Sequence, residues 1–196
     1  TTYRALKGYS IKSVTSDPAN IKEGQIWYND TSNQIKVAPL ISAWASGGAV
    51  NTGRRSGAGA GTQTANLFFG GYSTDLSTLS EEYNGSSWSE GNNLGTAGYA
   101  FSGTGTQTAG LCAGRFTSGF PNASEEYDGT SWAEGNNLNT ARAASAMAGA
   151  QTAAAMFGGS VGPNFAAGNS AAGEEYDGTS WSETNDLNTA RRYLAG

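Results

Sequence analysis

The sequence predicts an all-β protein whose main part is a series of repeated units, each folded as four short antiparallel strands. Four tryptophans are separated by 44, 44 and 49 residues: Trp44, Trp88, Trp132 and Trp181. Two short tracts keep the same period: residues 61–65 return at 105–109 and 149–153, and residues 81–85 return at 125–129 and 174–178. Glycine supplies 29 of 196 residues, about twice its usual share of roughly 7%. Self-similarity at a fixed period of this length indicates a repeat architecture.

The third unit illustrates how the strands are predicted. It contains a small-residue strand, an apolar strand and two strands that flank a tight turn: residues 143–148, 153–157, 174–176 and 180–183. Gly149 begins the first turn, and Asp177-Gly178 is a strong signal for the last one. Four strands in about 44 residues are typical of a β-propeller blade, in which small residues fit the crowded strand nearest the axis.

One set of residues carries a family resemblance. Arg142, the pair Gly158-Gly159, Tyr176 and Trp181 follow one another in the order and spacing of a kelch repeat. Three units resemble kelch repeats, at about residues 54–97, 98–141 and 142–190. The resemblance implies a kelch-like β-propeller over residues 41–196.

The second unit departs from this pattern at two positions. Gly98 stands where the other units have arginine, and Gly114-Arg115 replaces the double glycine. A second difficulty is the number of units, because propellers typically close with four to eight blades. The sequence has about three, with a fragment around Trp44 before them and the start of another after Arg191. Two explanations remain open: the chain continues past Gly196, or subunits complete one another's blades in a homo-oligomer.

Residues 1–40 do not repeat and are predicted as a small head with one β-hairpin. Residues 25–28 and 34–37 flank a turn at 29–33. The tract from Asp17 to Val37 resembles the hairpin module near the N-termini of tailed-phage fibre and other virion proteins. Together with the kelch-like units, this makes the chain similar to kelch-like structural proteins of tailed phages. The resemblance implies docking on other virion proteins through the apolar residues of the hairpin: Ile26, Trp27, Tyr28, Ile35 and Val37.

Composition excludes several classes of function. The chain has no histidine and one cysteine, Cys112, so a Ser-His-Asp triad, a histidine metal site and an internal disulfide are ruled out within this sequence. We expect no cofactor, no metal and no enzymatic activity. The 11 Lys and Arg residues are scattered and the net charge is −5, which argues against nucleic acid as a partner. No stretch of about 20 apolar residues predicts a membrane span.

Several residues that suggest chemistry are better explained structurally. The Glu-Glu pairs at 81–82, 125–126 and 174–175 recur in every unit, and adjacent strand residues point to opposite faces, so a pair cannot flank one bond. One glutamate of each pair is expected to accept hydrogen bonds from the repeated arginine or from amides of the next unit. The Asp-Gly tracts are interpreted as turns rather than calcium ligands, Cys112 as a buried inert thiol, and the tryptophans as packing between units rather than sugar platforms.

The segments that differ among the units are the best candidates for recognition. They lie between the second and third predicted strands, at residues 72–80, 115–124 and 160–173. In an up-and-down blade these loops share one face with the connections between units, whereas the constant turns occupy the other face. Loops on a rigid scaffold commonly carry recognition, although unconstrained drift would also make them differ. The candidate recognition residues are Tyr72, Asp75, Phe116, Phe120, Asn164 and Phe165.

These inferences favour a virion structural protein of a tailed phage, associated with the tail or a fibre. It would be assembled in the host cytoplasm, dock through the head and present a propeller face to a host-surface glycan or protein. The alternatives are a capsid-surface decoration protein and a free carbohydrate-binding kelch module. A catalytic role is disfavoured because the metal of kelch-like oxidases requires histidine.

Overall fold

The computed structural model describes residues 3–6, 9–19, 24–38, 46–166 and 168–194. Within these ranges the regular secondary structure consists of β-strands, as predicted. None of these residues belongs to a helix long and apolar enough to cross a membrane. The chain divides into two compact units, Thr1–Ser46 (unit 1) and Gly47–Gly196 (unit 2). Trp44 and Gly196 lie outside the described residues.

Unit 1 contains one four-stranded mixed sheet. Its strands follow in chain order: β1 (Tyr3–Leu6), β2 (Tyr9–Val14), β3 (Ile26–Asn29) and β4 (Gln34–Val37). The β3–β4 hairpin confirms the prediction, whereas β1 and β2 were missed. The reason is that β2 pairs with β3 in parallel, and a parallel pair requires a long connection without a local turn signal.

Unit 2 contains three four-stranded antiparallel sheets in chain order. Sheet I comprises β5 (Ala58–Gly61), β6 (Asn66–Phe69), β7 (Ser80–Tyr83) and β8 (Trp88–Glu90). Sheet II comprises β9 (Ser102–Thr106), β10 (Ala109–Ala113), β11 (Ser124–Tyr127) and β12 (Trp132–Glu134). Sheet III comprises β13 (Ala146–Ala150), β14 (Ala153–Phe157), β15 (Gly173–Tyr176) and β16 (Trp181–Thr184).

The first strands of the three sheets lie side by side, with β9 between β5 and β13. Small residues are required there: a Cβ atom on Gly103 would lie 2.5 Å from the Phe69 ring and 3.2 Å from the Ala58 side chain. The predicted crowding of this strand is therefore confirmed.

The prediction that the first strand of the third repeat (residues 142–190) begins at residue 143 was wrong. Ala144 has a φ of 55°, a left-handed conformation that interrupts a strand. Its N–H donates to the carbonyl of Ala100 in the preceding unit (3.0 Å), and Ala100, with a φ of 56°, donates in turn to Ser56 (2.7 Å). Strand β13 therefore starts at Ala146 and extends to Ala150, into the predicted turn, whereas β14 has its predicted bounds.

Two of the repeated tryptophans, Trp132 and Trp181, pack between sheets as predicted, whereas the ring of Trp88 packs against Phe68 and Tyr83 of its own sheet. The ring of Trp132 in sheet II packs edge-on against Phe69 of sheet I, with centroids 4.8 Å apart. Trp181 of sheet III is 6% exposed and shares a buried cluster with Leu111 of sheet II and Met156. Sheets II and III thus each contribute a tryptophan to their contact with the preceding sheet.

A buried ion pair recurs in each sheet: Arg54–Glu81, Arg115–Glu125 (2.5 Å) and Arg142–Glu174 (3.0 Å). The three carboxylates are at most 4% exposed. Each also accepts a backbone N–H from the connection that arrives from the preceding unit: Asn51 to Glu81 (2.6 Å), Gly95 to Glu125 (2.7 Å) and Asn139 to Glu174 (2.7 Å). The first glutamate of each pair therefore holds that connection in place.

The second glutamate contacts the following sheet instead. The hydroxyl of Tyr127 donates to Glu82, and that of Tyr176 donates to Glu126. Burial, together with the hydrogen bond to Glu82, raises the pKa of Tyr127 above its ordinary value. One glutamate of each pair does bind an arginine and backbone amides, as expected, but these groups do not belong to the next repeat. The arginine lies in the same repeat as the glutamate, and the amides lie in the connection that precedes it.

The two departures of the second repeat (residues 98–141) compensate each other. In the first repeat (residues 54–97) Gly71 has a φ of 105°, and a Cβ atom there would lie 2.7 Å from the carbonyl oxygen of Arg55. Arg115 occupies the equivalent position without a positive φ, and its guanidinium reaches the carboxylate of Glu125. The usual arginine position is taken by Gly98, where a Cβ atom would lie 3.2 Å from the Arg115 side chain. The arginine has exchanged places with a glycine while its charge remains beside the carboxylate.

We predict that Arg115→Gly lowers the free energy of unfolding by about 3–5 kcal/mol, because it leaves the buried Glu125 carboxylate without a cation. Adding Gly98→Arg should recover at least about half of the loss, because an arginine at position 98 takes the place that Arg54 and Arg142 have in their units. Denaturant unfolding of both variants and of Gly98→Arg alone measures this. A double variant no more stable than Arg115→Gly would show that the exchange does not compensate.

The pH dependence of stability should report the same carboxylates. Burial of Glu81 opposes ionisation, but hydrogen bonds from Asn51, Arg54 and Thr52 outweigh it and hold the pKa of Glu81 below its ordinary 4.5. A carboxyl whose pKa is lower in the folded state stabilises above its unfolded pKa and loses that contribution as pH falls. We therefore expect Tm to fall as pH drops below about 4.5, and to fall less steeply in Glu81→Gln, where this group does not titrate. Parallel acid profiles in the two proteins would contradict this.

Candidate functional site

The loops between the second and third strands of each sheet lie beside the connections between units. These loops span residues 70–79, 114–123 and 158–172, with residue 167 outside the described part. Isolated β-bridges join each loop to the preceding connection: Tyr72 with Arg55, Phe116 with Tyr99, and Ser160 with Ala143. The variable loops and the connections therefore form one continuous side of unit 2.

Aromatic side chains from these segments converge. Phe116, Phe120 and Phe165 are mutual neighbours, with ring centroids 5.2–5.4 Å apart. Tyr99 joins them at 5.2 Å from Phe116, and its ring also lies 6.0 Å from that of Tyr72. We call the whole group the aromatic surface: Tyr72, Tyr99, Phe116, Phe120, Phe165 and Tyr193.

The aromatic surface is partly exposed and rests on a small buried layer. Ala100, Ala143 and Ala144 lie under it and are at most 9% exposed. Most of the rings are half-buried against one another, whereas Tyr193 is 67% exposed and stacks on Phe165 at 6.0 Å. A cavity of about 160 Å³ lies beside Tyr193, lined in part by Ser56 and Leu194. The arrangement offers ring faces and a small recess to a ligand.

Two arginines flank the aromatic surface. The guanidinium of Arg55 lies 5.0 Å from the ring centroid of Tyr72, and that of Arg192 lies 5.6 Å from the ring centroid of Tyr193. Arg192 also donates to the carbonyl oxygen of Phe165. A ring face beside a cation suits a ligand that combines apolar and anionic groups.

The structure brings together four of the six predicted recognition residues: Tyr72, Phe116, Phe120 and Phe165. Asp75 and Asn164 are exposed, and neither side chain hydrogen-bonds to the aromatic surface in the described part of the chain. Asn164 instead caps its own turn by accepting the N–H of Ala166 (2.9 Å).

Tyr99 and Tyr193 were missed because only the loops were searched for aromatic residues. Both lie in connections between units, at repeat positions where the other units have arginine, serine or alanine. The connections therefore differ in sequence among the repeats, as the loops do, and this difference could have identified Tyr99 and Tyr193. The predicted geometry of an up-and-down blade also placed the connections on the same face.

The head presents a second candidate surface. Ile26 lies opposite Val37 and Tyr28 opposite Ile35 in the β3–β4 pair, so all four side chains share one face. Ile26, Ile35 and Val37 are 49–57% exposed. Trp27, which we also predicted to dock, lies on the opposite face and is 3% exposed, so it is not available to a partner.

Asp17 explains the burial of Trp27. Its carboxylate accepts hydrogen bonds from Lys36 Nζ (2.6 Å), Asn29 Nδ2 (2.7 Å) and Trp27 Nε1 (2.9 Å). The bond from Lys36, followed by those from Asn29 and Trp27, lowers the pKa of Asp17 to about 2. The Asp-Pro tract thus fixes which face of the hairpin is buried, a role that its sequence did not reveal.

The remaining candidate residues have structural roles. Cys112 is fully buried, as predicted, and burial raises its pKa to about 12, so we expect the thiol to be unreactive. Asp128 accepts the N–H groups of Thr130 (2.8 Å) and Ser131 (2.7 Å) within its turn, as predicted for the Asp-Gly tracts. In the described residues no group of three or more acidic or cysteine side chains is arranged to hold a metal ion.

No protein-family model matches the chain, and no curated protein matches it significantly.

Proposed function

We propose that the chain is a kelch-like β-propeller module of a tailed-phage virion. In this proposal unit 1 docks on other virion proteins, and the aromatic surface of unit 2 binds a carbohydrate of the host surface. The observation that carries the recognition role is the convergence of aromatic residues from three variable loops onto one side of a constant scaffold. The viral setting rests on the resemblance of the head and of the repeats.

The blade interpretation is supported by the way the three sheets follow one another. Their first strands are neighbours, as blades around an axis require. Equivalent residues are also linked from unit to unit by backbone hydrogen bonds: Ala100 to Ser56, Ala144 to Ala100, and Tyr193 to Ala144 (2.7–3.0 Å). The same bond at each step is the expected result of one rotation applied repeatedly.

A carbohydrate fits the aromatic surface better than an extended apolar peptide. The ring of Tyr193 is exposed and the other rings are half-buried, and sugar C–H groups pack well on exposed aromatic rings. Arg55 and Arg192 lie at opposite ends of the aromatic group, beside Tyr72 and Tyr193. This favours a glycan that carries carboxylate, phosphate or sulfate groups.

We predict that the full chain binds acidic glycans of the host surface and that Tyr193→Ala weakens binding about tenfold, or about 1.4 kcal/mol. Tyr193 is 67% exposed, so this change should leave the fold intact. Arg55→Ala should weaken binding and reduce its dependence on salt. A glycan array followed by titration measures both effects.

The matched control is Ile35→Ala in the head, which should bind glycans normally. In a particle-assembly assay the roles reverse: Ile35→Asp or deletion of residues 1–40 should prevent incorporation, whereas Tyr193→Ala should not. Absence of glycan binding, or equal binding by Tyr193→Ala, would refute the recognition role. Normal incorporation of the truncated chain would refute the docking role.

A further inference from the structure

The segment that holds the buried carboxylate in each sheet occurs a fourth time, at residues 188–191. There Asn-Thr-Ala-Arg repeats residues 139–142. In that earlier copy the N–H groups of Asn139 and Thr140 bind Glu174 at 2.7 and 3.1 Å, and the guanidinium lies 3.0 Å from the same carboxylate. Residues 188–191 therefore contain a complete set of donors for a carboxylate.

This fourth segment is already held in position by the backbone. The N–H of Leu187 donates to the carbonyl of Ala171 (2.9 Å), and that of Tyr193 donates to Ala144 (2.8 Å). Their equivalents in the preceding connection, Leu138 and Ala144, make the corresponding bonds at 2.8 and 3.0 Å. The donors are thus placed as they are where a carboxylate is bound.

The carboxylate is the part that this segment lacks. Arg191 is exposed, and none of the ion pairs among the described residues includes it. Its Nε atom donates to the carbonyl of Thr189 (3.2 Å). By contrast, the side chains of Arg54 and Arg142 are fully buried beside glutamates. The difference in burial corresponds to the absence of a carboxylate beside Arg191 among the described residues.

Two further groups on sheet III lack the contacts that their counterparts make. Glu126 accepts the hydroxyl of Tyr176 from the following sheet, whereas Glu175 is exposed and meets only the Thr184 hydroxyl (3.4 Å) within the described residues. Asn92 donates to a turn carbonyl of the following sheet (2.6 Å), and Asn136 does the same, whereas the side chain of their counterpart Asn185 has no hydrogen-bond partner among the described residues. All these groups face the position of a following unit.

We propose that this face, formed by Glu175, Asn185 and residues 188–191, binds a four-stranded β-unit whose third strand reads Glu-Glu-Tyr. The first glutamate of that strand binds Asn188, Thr189 and Arg191, and the tyrosine hydroxyl donates to Glu175. The charges are complementary: an arginine meets a carboxylate, and a carboxylate meets a hydroxyl donor. The arginine–carboxylate contact occurs three times within the described residues, and the tyrosine–glutamate contact occurs twice.

An intact second copy of the chain does not fit this face. Its three equivalent carboxylates, Glu81, Glu125 and Glu174, are already bound by its own arginines. Residues 51–54 of a second copy would also occupy the place that residues 188–191 must take. The partner is therefore a unit that has a Glu-Glu-Tyr strand without its own arginine-bearing connection.

The test uses the full chain extended after Leu194 by a duplicate of residues 146–190, which supplies such a unit. Arg191→Ala should lower Tm by about 10 °C in the extended chain, where the arginine becomes buried beside a carboxylate. In the original chain the same change should shift Tm by about 1 °C, since the side chain is exposed. The matched control, Glu to Gln at the duplicated Glu174, should remove most of this difference.

Each other outcome overturns the proposal. Equal effects of Arg191→Ala in the two chains would mean that Arg191 receives no carboxylate. A duplicated unit that stays unfolded, seen as rapid proteolysis of the added segment alone, would mean that the face does not accept a unit of this chemistry. Self-association of the original chain that Arg191→Ala abolishes would mean that a second copy is the occupant.

Discussion

The fold of unit 2 depends on a buried carboxylate in the third strand of each sheet and on the ion pair and hydrogen bonds that it makes. The carboxylate binds an arginine of its own sheet and the N–H of the connection that arrives from the preceding sheet. Burying a charge costs several kcal/mol unless it is paired and hydrogen-bonded, so the arrangement tolerates few alternatives. The same contact thereby specifies the path of the chain from one sheet to the next.

With the connections held in this way, the loops beside them are free to differ. The strands, turns and ion pairs recur almost unchanged, whereas the loop residues vary and supply Phe116, Phe120 and Phe165 to the aromatic surface. The packing between sheets depends instead on Trp132, Trp181 and the tyrosine–glutamate contacts, away from these loops. Apart from Arg115, which lies in the second loop and pairs with Glu125, the loop residues can therefore change without loss of the buried ion pairs.

The period in the sequence was sufficient to predict most strands and the face on which the loops lie. The period did not predict features that depend on an interaction between residues far apart in the sequence. The late start of β13 follows from the left-handed conformation of Ala144 and its bond to Ala100, which no local pattern shows. The exchange of Gly98 and Arg115 looks like two unrelated departures until the Arg115 side chain is seen beside both Gly98 and Glu125. For Trp27, alternation predicts two faces of a strand but not which of them is buried; the hydrogen bond to Asp17 decides that.

Hydrogen exchange of four backbone amides measures whether the buried carboxylates hold the connections. Asn51, Gly95 and Asn139 donate to buried carboxylates, whereas Asn188, in the equivalent position of the fourth segment, has no acceptor among the described residues. We expect the first three amides to exchange at least about 100-fold more slowly than that of Asn188 in the full chain. Exchange of all four at similar rates would contradict it, because the carboxylates would then not hold the connections.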